Sequence, residues 1–176
     1  MAGAVSSLYL LRHAKAVPQS EGTDRERALE PKGRRGAQAV AAWIAEHRLS
    51  PELVLCSPSL RTRQTLDIVA PAFAHPPQIL FEDGLYLATT RQLMARLKQI
   101  PVSVKSAMAI GHNPGFQELA GILSDVATGP LPTRIAAGFP TGALAGYDVA
   151  VPWSALDRRR AHLVTFVTPK ELLRGE

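Results

Sequence analysis

The sequence predicts an α/β fold, a three-layer α/β/α sandwich around a largely parallel, mixed central sheet. Three observations lead there. Short apolar runs alternate along the chain with stretches whose apolar residues recur at helical spacing. Strand and helix signals in alternation imply helices on both faces of a mainly parallel sheet. The last two strand-like runs lie close together, which argues for antiparallel pairing at one side.

The elements follow in order. Ser7 to Leu11 is an apolar run ending at Arg12-His13, and it reads as a buried strand. Pro18 to Glu30 is polar and without period, so it is expected to be a loop. Pro31 then opens a helix where its missing N–H costs nothing, with Ala37, Val40, Ala41, Ile44 and Ala45 on the buried face. Leu53 to Cys56 is a second strand, closed by Ser57-Pro58. A helix from about Ser59 follows until Pro71 disrupts it. Gln78 to Phe81 reads as a third strand, Arg91 to Gln99 as a helix, and Ala107 to Ile110 as a fourth strand broken by Gly111-His112-Asn113-Pro114-Gly115. Phe116 to Leu123 restarts a helix. A Pro/Gly-rich loop then leads to strands at about Ala143 to Val151 and His162 to Val167.

At 176 residues the chain suits one domain with a proper core, and no internal repeat or linker divides residues 1–176. No apolar run approaches the ~20 residues of a membrane span, and the N-terminus has no basic residue ahead of its apolar stretch, unlike a secretory signal. Cys56 is the only cysteine, which excludes a disulfide framework or a Cys-based zinc cluster. The expected compartment is the cytoplasm. Twenty Lys+Arg against 15 Asp+Glu give a formal charge of +5, suited to an anionic partner. The dense run Arg158-Arg159-Arg160 lacks interleaved aromatics, so it reads as a solvated turn rather than a nucleic-acid patch.

Chemistry gathers at the strand ends. In open α/β sheets, ligands bind at the carboxyl ends of strands. Here the first strand ends in Arg12-His13, the second runs into Ser57-Pro58-Ser59-Leu60-Arg61, and the fourth ends in His112. Arginine's planar fork matches two phosphate oxygens with a permanent charge, and Arg61 falls near a helix N-terminus that adds free N–H groups. A histidine held among them can attack phosphorus through an unprotonated ring nitrogen. The second histidine, kept cationic by the phosphate, can neutralise charge on the phosphoryl oxygens. The arginines and histidine supply the charge, so neither metal nor cofactor is expected. A cysteine phosphatase would need Cys-x5-Arg, but the position that pattern requires after Cys56 is Thr62. A P-loop and a His-x3-His zinc pair are also lacking. His47, His75 and His162 read as structural or exposed.

Leu10-Leu11-Arg12-His13-Ala14 resembles the Arg-His-Gly/Ala signature of the histidine phosphatase (phosphoglycerate mutase-like) superfamily. Ser57 through Thr65 and Gly111-His112-Asn113-Pro114-Gly115 resemble its second and third motifs. Gly-His-Asn-Pro-Gly, with Asp24-Arg25-Glu26-Arg27-Ala28-Leu29 and Lys32-Gly33-Arg34, is most similar to the short SixA-like branch, associated with phosphohistidine phosphatase activity. Pro140-Thr141, Trp153 and Pro169 fit its closing features. The resemblance implies a phosphoglycerate mutase-like fold, His13 as the phosphorylated nucleophile, and Arg12, Arg61 and His112 completing the phosphate pocket.

Arg27 would reach the phosphate from the loop above or remain a surface charge, and Asn113 would orient the loop or the phosphate or simply form a turn. Glu82 and Asp83 stand where phosphoglycerate mutases place their general acid, although an acidic pair before Gly84 is also an ordinary turn. A phosphohistidine substrate asks less of an enzyme acid than an ester does. No large insertion separates Arg61 from His112, so the rim is either open to a phosphorylated protein or closed by the Val17–Leu29 loop over a small molecule. The expected partner is a phosphorylated protein, such as a histidine-phosphotransfer domain, or a small phosphorylated molecule, with neither nucleic acid nor membrane involved. A small-molecule phosphomonoesterase, a mutase-type phosphotransferase and a non-enzymatic phosphoprotein-binding module are the alternatives. Oligomeric state is not encoded in any of these signals.

Overall fold

A computed structural model describes residues 5–126 and 128–175. Six strands, β1 (Ser6–Arg12), β2 (Leu53–Cys56), β3 (Gln78–Phe81), β4 (Ser106–Gly111), β5 (Leu144–Val149) and β6 (His162–Val167), form one sheet in the order β3-β2-β4-β1-β5-β6. The first four strands pair in parallel. β5 runs antiparallel to both β1 and β6. The sheet is therefore mixed and largely parallel, as the sequence predicts.

Among the described residues six α-helices accompany it: α1 (Pro31–Glu46), α2 (Leu60–Val69), α3 (Thr90–Leu97), α4 (Gly115–Leu123), α5 (Pro130–Ala137) and α6 (Pro169–Leu172). The two-residue period of a strand sends Leu8 and Leu10 to one face and Leu11 to the other. On the first face they meet Leu93 of α3, Phe116 and Leu119 of α4 and Ile135 of α5. On the second, Val40 and Ile44 of α1 pack with Leu66 and Val69 of α2. Each such side chain contributes about 1.5–3 kcal/mol by leaving water, which is large against a net stability of about 5–15 kcal/mol.

Two segments differ from the sequence expectation. The Pro/Gly-rich stretch after α4, expected as a loop, contains α5. Pro130 and Pro132 fall in the first turn, where a helix has no N–H bonds to lose, and Ile135 ties the helix to the core. The 17–29 loop is irregular as expected but bound at both ends. Ala16 bridges Leu29, and the Val17 N–H donates to the Ala28 carbonyl at 2.9 Å. Inside it, a short turn at Asp24–Glu26 is closed by Thr23 and Glu26 in a reciprocal capping box.

Strand register positions the site. Arg12 lies opposite Gly111 and Cys56 opposite Ile110. The next residues, His13, Ser57 and His112, therefore leave the sheet at one rim. The His13 N–H donates to the Gly111 carbonyl at 3.1 Å and the Ser57 N–H to the Ile110 carbonyl at 3.0 Å, prolonging the ladder by one bond on each side. Among the described residues no helix is long and apolar enough to cross a membrane.

Candidate active site

His13 is buried, and its Nδ1 lies 2.7 Å from the Ala14 carbonyl. A carbonyl only accepts, so Nδ1 carries the hydrogen and the Nε2 lone pair is left free. The Ala14 segment is fixed in turn by Thr65 of α2, whose Oγ1 accepts from the Ala14 N–H at 2.9 Å and donates to the Arg61 carbonyl at 2.7 Å. Burial drives the His13 pKa down to about 4. The charges of Arg61, Arg12 and Arg27 push the same way, against the Ala14 hydrogen bond. At neutral pH the ring is thus uncharged, with one nitrogen available to attack.

The His112 ring lies 5.3 Å from that of His13, centroid to centroid. Its Nδ1 is 3.4 Å from Arg61 Nη2, which can only donate, so Nε2 carries the hydrogen and donates to Ser57 Oγ at 2.7 Å. Burial, then the charges of Arg61 and His13, lower the His112 pKa to about 3. On its own the protein therefore holds His112 neutral at neutral pH, and the cationic form expected from the sequence depends on the phosphate. An arriving phosphate would favour its protonated form, because an opposite charge nearby raises a histidine pKa.

Arg61 is 2 % exposed although it sits in the first turn of α2. The turn that presents it is held by Thr62, whose Oγ1 lies 2.6 Å from the Ser57 carbonyl and 2.8 Å from that of Ser59. Arg61 donates through Nη1 to the Asp24 carbonyl at 2.7 Å and through Nη2 to Asp24 Oδ2 at 2.9 Å. Arg12 Nη1 and Asn113 Nδ2 share one acceptor, the Phe139 carbonyl, at 2.8 and 2.9 Å. Asn113 therefore braces the loop beside Arg12. Arg12 Nε and Arg61 Nε are buried donors with no acceptor among the described residues. Buried donors in that state are rare, and an oxyanion would satisfy them.

Asp24, Ser57 and Tyr86 join the site without having been singled out in the sequence. Asp24 Oδ1 lies 3.0 Å from Arg27 Nε, while its Oδ2 takes both Arg61 and the Tyr86 hydroxyl. These bonds, that from Tyr86 foremost, hold its pKa below the usual carboxylate range. Tyr86 and His112 meet edge to face, and the Arg25 guanidinium lies over the Tyr86 ring at 4.3 Å. Asp24 could have been suspected as an acid set among loop arginines. Tyr86 carries no such signal, since only the tertiary fold brings it here.

Glu82 and Asp83 are each turned toward an arginine. Both Glu82 oxygens accept from Arg96, at 2.7 and 2.8 Å, and Asp83 pairs with Arg25 at 2.9 Å. Neither carboxylate hydrogen-bonds to His13 or His112. Arg27 Nη1 donates to the Val17 carbonyl at 3.2 Å, within the loop over the site. The other histidines stand apart: His47 stacks on Trp43, His162 pairs with Asp125, and His75 is exposed. Cys56 is fully buried, and burial pushes its thiol up to about 12, so it is an inert core residue.

The family described as "Histidine phosphatase superfamily (branch 1)" matches residues 8–85. An uncharacterized protein of Mycobacterium tuberculosis, Rv1276c, is 30% identical over 165 residues, covering 91% of this chain and all of the relative. Two solved structures bearing the name "putative phosphohistidine phosphatase SixA" share the fold. That from Nakamurella multipartitia superposes with a TM-score of 0.83 at 25% identity, over 96% of this chain and 99% of the other. That from Agrobacterium tumefaciens gives 0.78 at 31% identity, over 93% and 98%. With two histidines and two arginines meeting at the carboxyl ends of parallel strands, the chain belongs to the histidine phosphatase superfamily, in its SixA-like branch, and is a phosphatase.

Proposed function

We propose that this phosphatase removes phosphoryl groups from phosphohistidine on a protein, through a phosphohistidine intermediate on His13. The observation that carries the mechanism is the His13 tautomer: Nδ1–H is tied to the Ala14 carbonyl, and Nε2 is free and unprotonated. In the first step the Nε2 lone pair forms a bond to phosphorus while the substrate P–N bond breaks. The departing nitrogen keeps the electron pair. If the substrate ring is already protonated on its other nitrogen, it leaves as a neutral imidazole and asks for no proton at the breaking bond. Water then attacks phosphorus, the His13–phosphorus bond breaks, and inorganic phosphate departs. Arg12, Arg61 and His112 stabilise the charge that spreads over the phosphoryl oxygens, Arg27 adds a cation from above, and Asn113 keeps the Arg12 side of the pocket in place.

The substrate half of the proposal is supported by the engagement of Glu82 with Arg96 and of Asp83 with Arg25. Asp24, the carboxyl group that does reach the site, is held ionised by Tyr86 and Arg61, and a site whose nearby carboxylates are so engaged favours a leaving group that needs no proton. The competing reading, a small-molecule phosphomonoesterase, draws on the 17–29 loop, which narrows the pocket through Asp24. Residues 1–176 as one such domain, and a cytoplasmic location for a chain whose sole cysteine is an unpaired thiol, belong to the same proposal. The test sets a phosphohistidine peptide beside an aryl phosphate ester. Faster clearance of the peptide, with His13→Ala inactive on both, supports the proposal. Strong preference for the ester would retain the site and replace the substrate.

A further inference from the structure

A trough of about 510 Å³ opens beside the phosphate pocket, with Ala14 in its wall. Ala14 is the residue whose carbonyl holds His13, so the trough starts one residue from the nucleophile. The packing of its wall has a cause in the sequence. A side chain at Gly33 would come within 2.0 Å of the Lys15 carbonyl, and one at Gly36 within 3.1 Å of Pro169. The two glycines let α1 approach both segments closely.

Charge in the trough is one-sided. Lys15, Lys32, Lys170 and Arg174 line it, and among the described residues no carboxylate does. Lys15 pairs with Glu30 at 3.0 Å. Among the described residues, Lys32, Lys170 and Arg174 have no ion-pair partner, and all three are exposed. Between the cations the surface is apolar, formed by Gly36, Pro169 and Leu173. A second groove, about 560 Å³, starts at Arg12 and Asn113 and shares Pro140 and Thr168 with the trough. The two abut to make an elongated passage running past the phosphate pocket.

We infer that this trough docks an acidic polypeptide segment of the phosphorylated protein substrate. Carboxylates of the segment meet Lys32, Lys170 and Arg174, and an apolar side chain lies on Pro169 and Leu173. Length, unbalanced charge and an apolar floor suit a polypeptide better than a free anion, which would have only screened Coulomb attraction in so open a place. The inference rests on the protein-phosphohistidine reading above. Rim charges of this kind act on encounter and orientation, so they affect kcat/KM more than kcat.

Two phosphohistidine peptides, one flanked by Asp/Glu and one by Lys, together with phosphoramidate as a small P–N substrate, test the inference. They are assayed on wild type and on Lys32→Glu/Lys170→Glu/Arg174→Glu, a variant changed only at exposed positions. Wild type should prefer the acidic peptide by on the order of tenfold in kcat/KM at low salt, the variant should reverse that order, and high salt should erase it. Phosphoramidate turnover should be the same for both proteins. Equal use of the two peptides by wild type would overturn the inference. So would a variant that loses phosphoramidate turnover as severely, since the trough would then serve a small anion. If wild type cleaves an aryl ester and neither peptide, the substrate reading itself fails and the docking inference falls with it.

Discussion

The floor and the roof of the site are built differently. The floor consists of residues at the ends of three adjacent parallel strands, Arg12-His13 at the end of β1, Ser57 after β2 and His112 after β4, in register to one residue, together with Arg61 in the first turn of α2. The roof is the 17–29 strap, which reaches the floor through Asp24 on Arg61 and Tyr86. His13, Ser57 and His112 are buried and Arg12 is half-buried, and all four inherit their positions from the sheet. Asp24 is about one third exposed, and its place depends on side-chain bonds. Chemistry that tolerates no misplacement therefore sits on the rigid part, while the strap adjusts what the floor already holds.

Substitutions should separate the two. His13→Ala removes the nitrogen proposed to attack phosphorus and is expected to lower kcat by about 10³-fold or more, with the folded state retained by circular dichroism. Arg61→Ala or His112→Ala takes one charge-stabilising group from the floor and should cost about 10²–10³-fold in kcat, read by single-turnover hydrolysis. An effect as small as that of a strap residue would remove the distinction drawn here.

The floor also carries a pH signature. Free-enzyme kcat/KM should fall as pH drops through about 4, where His13 takes a proton. Stability follows from the same shift. In the unfolded chain both histidines protonate near ~6.5, whereas in the fold they do so only at about 4 and about 3. Between those limits the unfolded state holds more protons, so stability declines as pH falls from about 6.5 toward 4. Above that window both states are neutral and this contribution is flat. Thermal melts across pH 4–7 (approximately) should show the decline, reduced in His13→Ala.

Strap effects should be smaller. Asp24→Asn keeps the shape but loses the charge that faces Arg61 and Arg27, and it should raise KM by roughly three- to tenfold with little change in kcat. Amide exchange across residues 17–29 should quicken in the variant and stay unchanged in β1 and β4. Ser57→Ala is the mildest of the floor changes: it leaves the floor's charges and His13 in place and removes only the acceptor of His112 Nε2–H, for an expected cost of about two- to fivefold in kcat.

The same contrast explains how much was legible in the sequence. Strands that end in reactive residues announce a floor, because burial writes a continuous apolar run and the sheet brings its ends together. The β3 span is identical in sequence reading and structure, and α2 and β4 agree to within a residue or two. The α5 helix was hidden because its prolines look like loop punctuation unless their place in a first turn is known. Asp24, Ser57 and Tyr86 acquire their roles from partners 55 or more positions away in two cases and 37 in the third, a separation no local pattern records. Glu82 illustrates the converse: its position matched the family's acid, but the partner that holds it, Arg96, lies on α3.

The most direct test of the account is to quench a single turnover of a phosphohistidine protein and locate the phosphoryl group on the enzyme by mass spectrometry under alkaline conditions. The account predicts phosphate on His13, lost when His13 is alanine and accumulating when Arg61 or His112 is altered. Phosphate found on another residue, or normal turnover by His13→Ala, would contradict it.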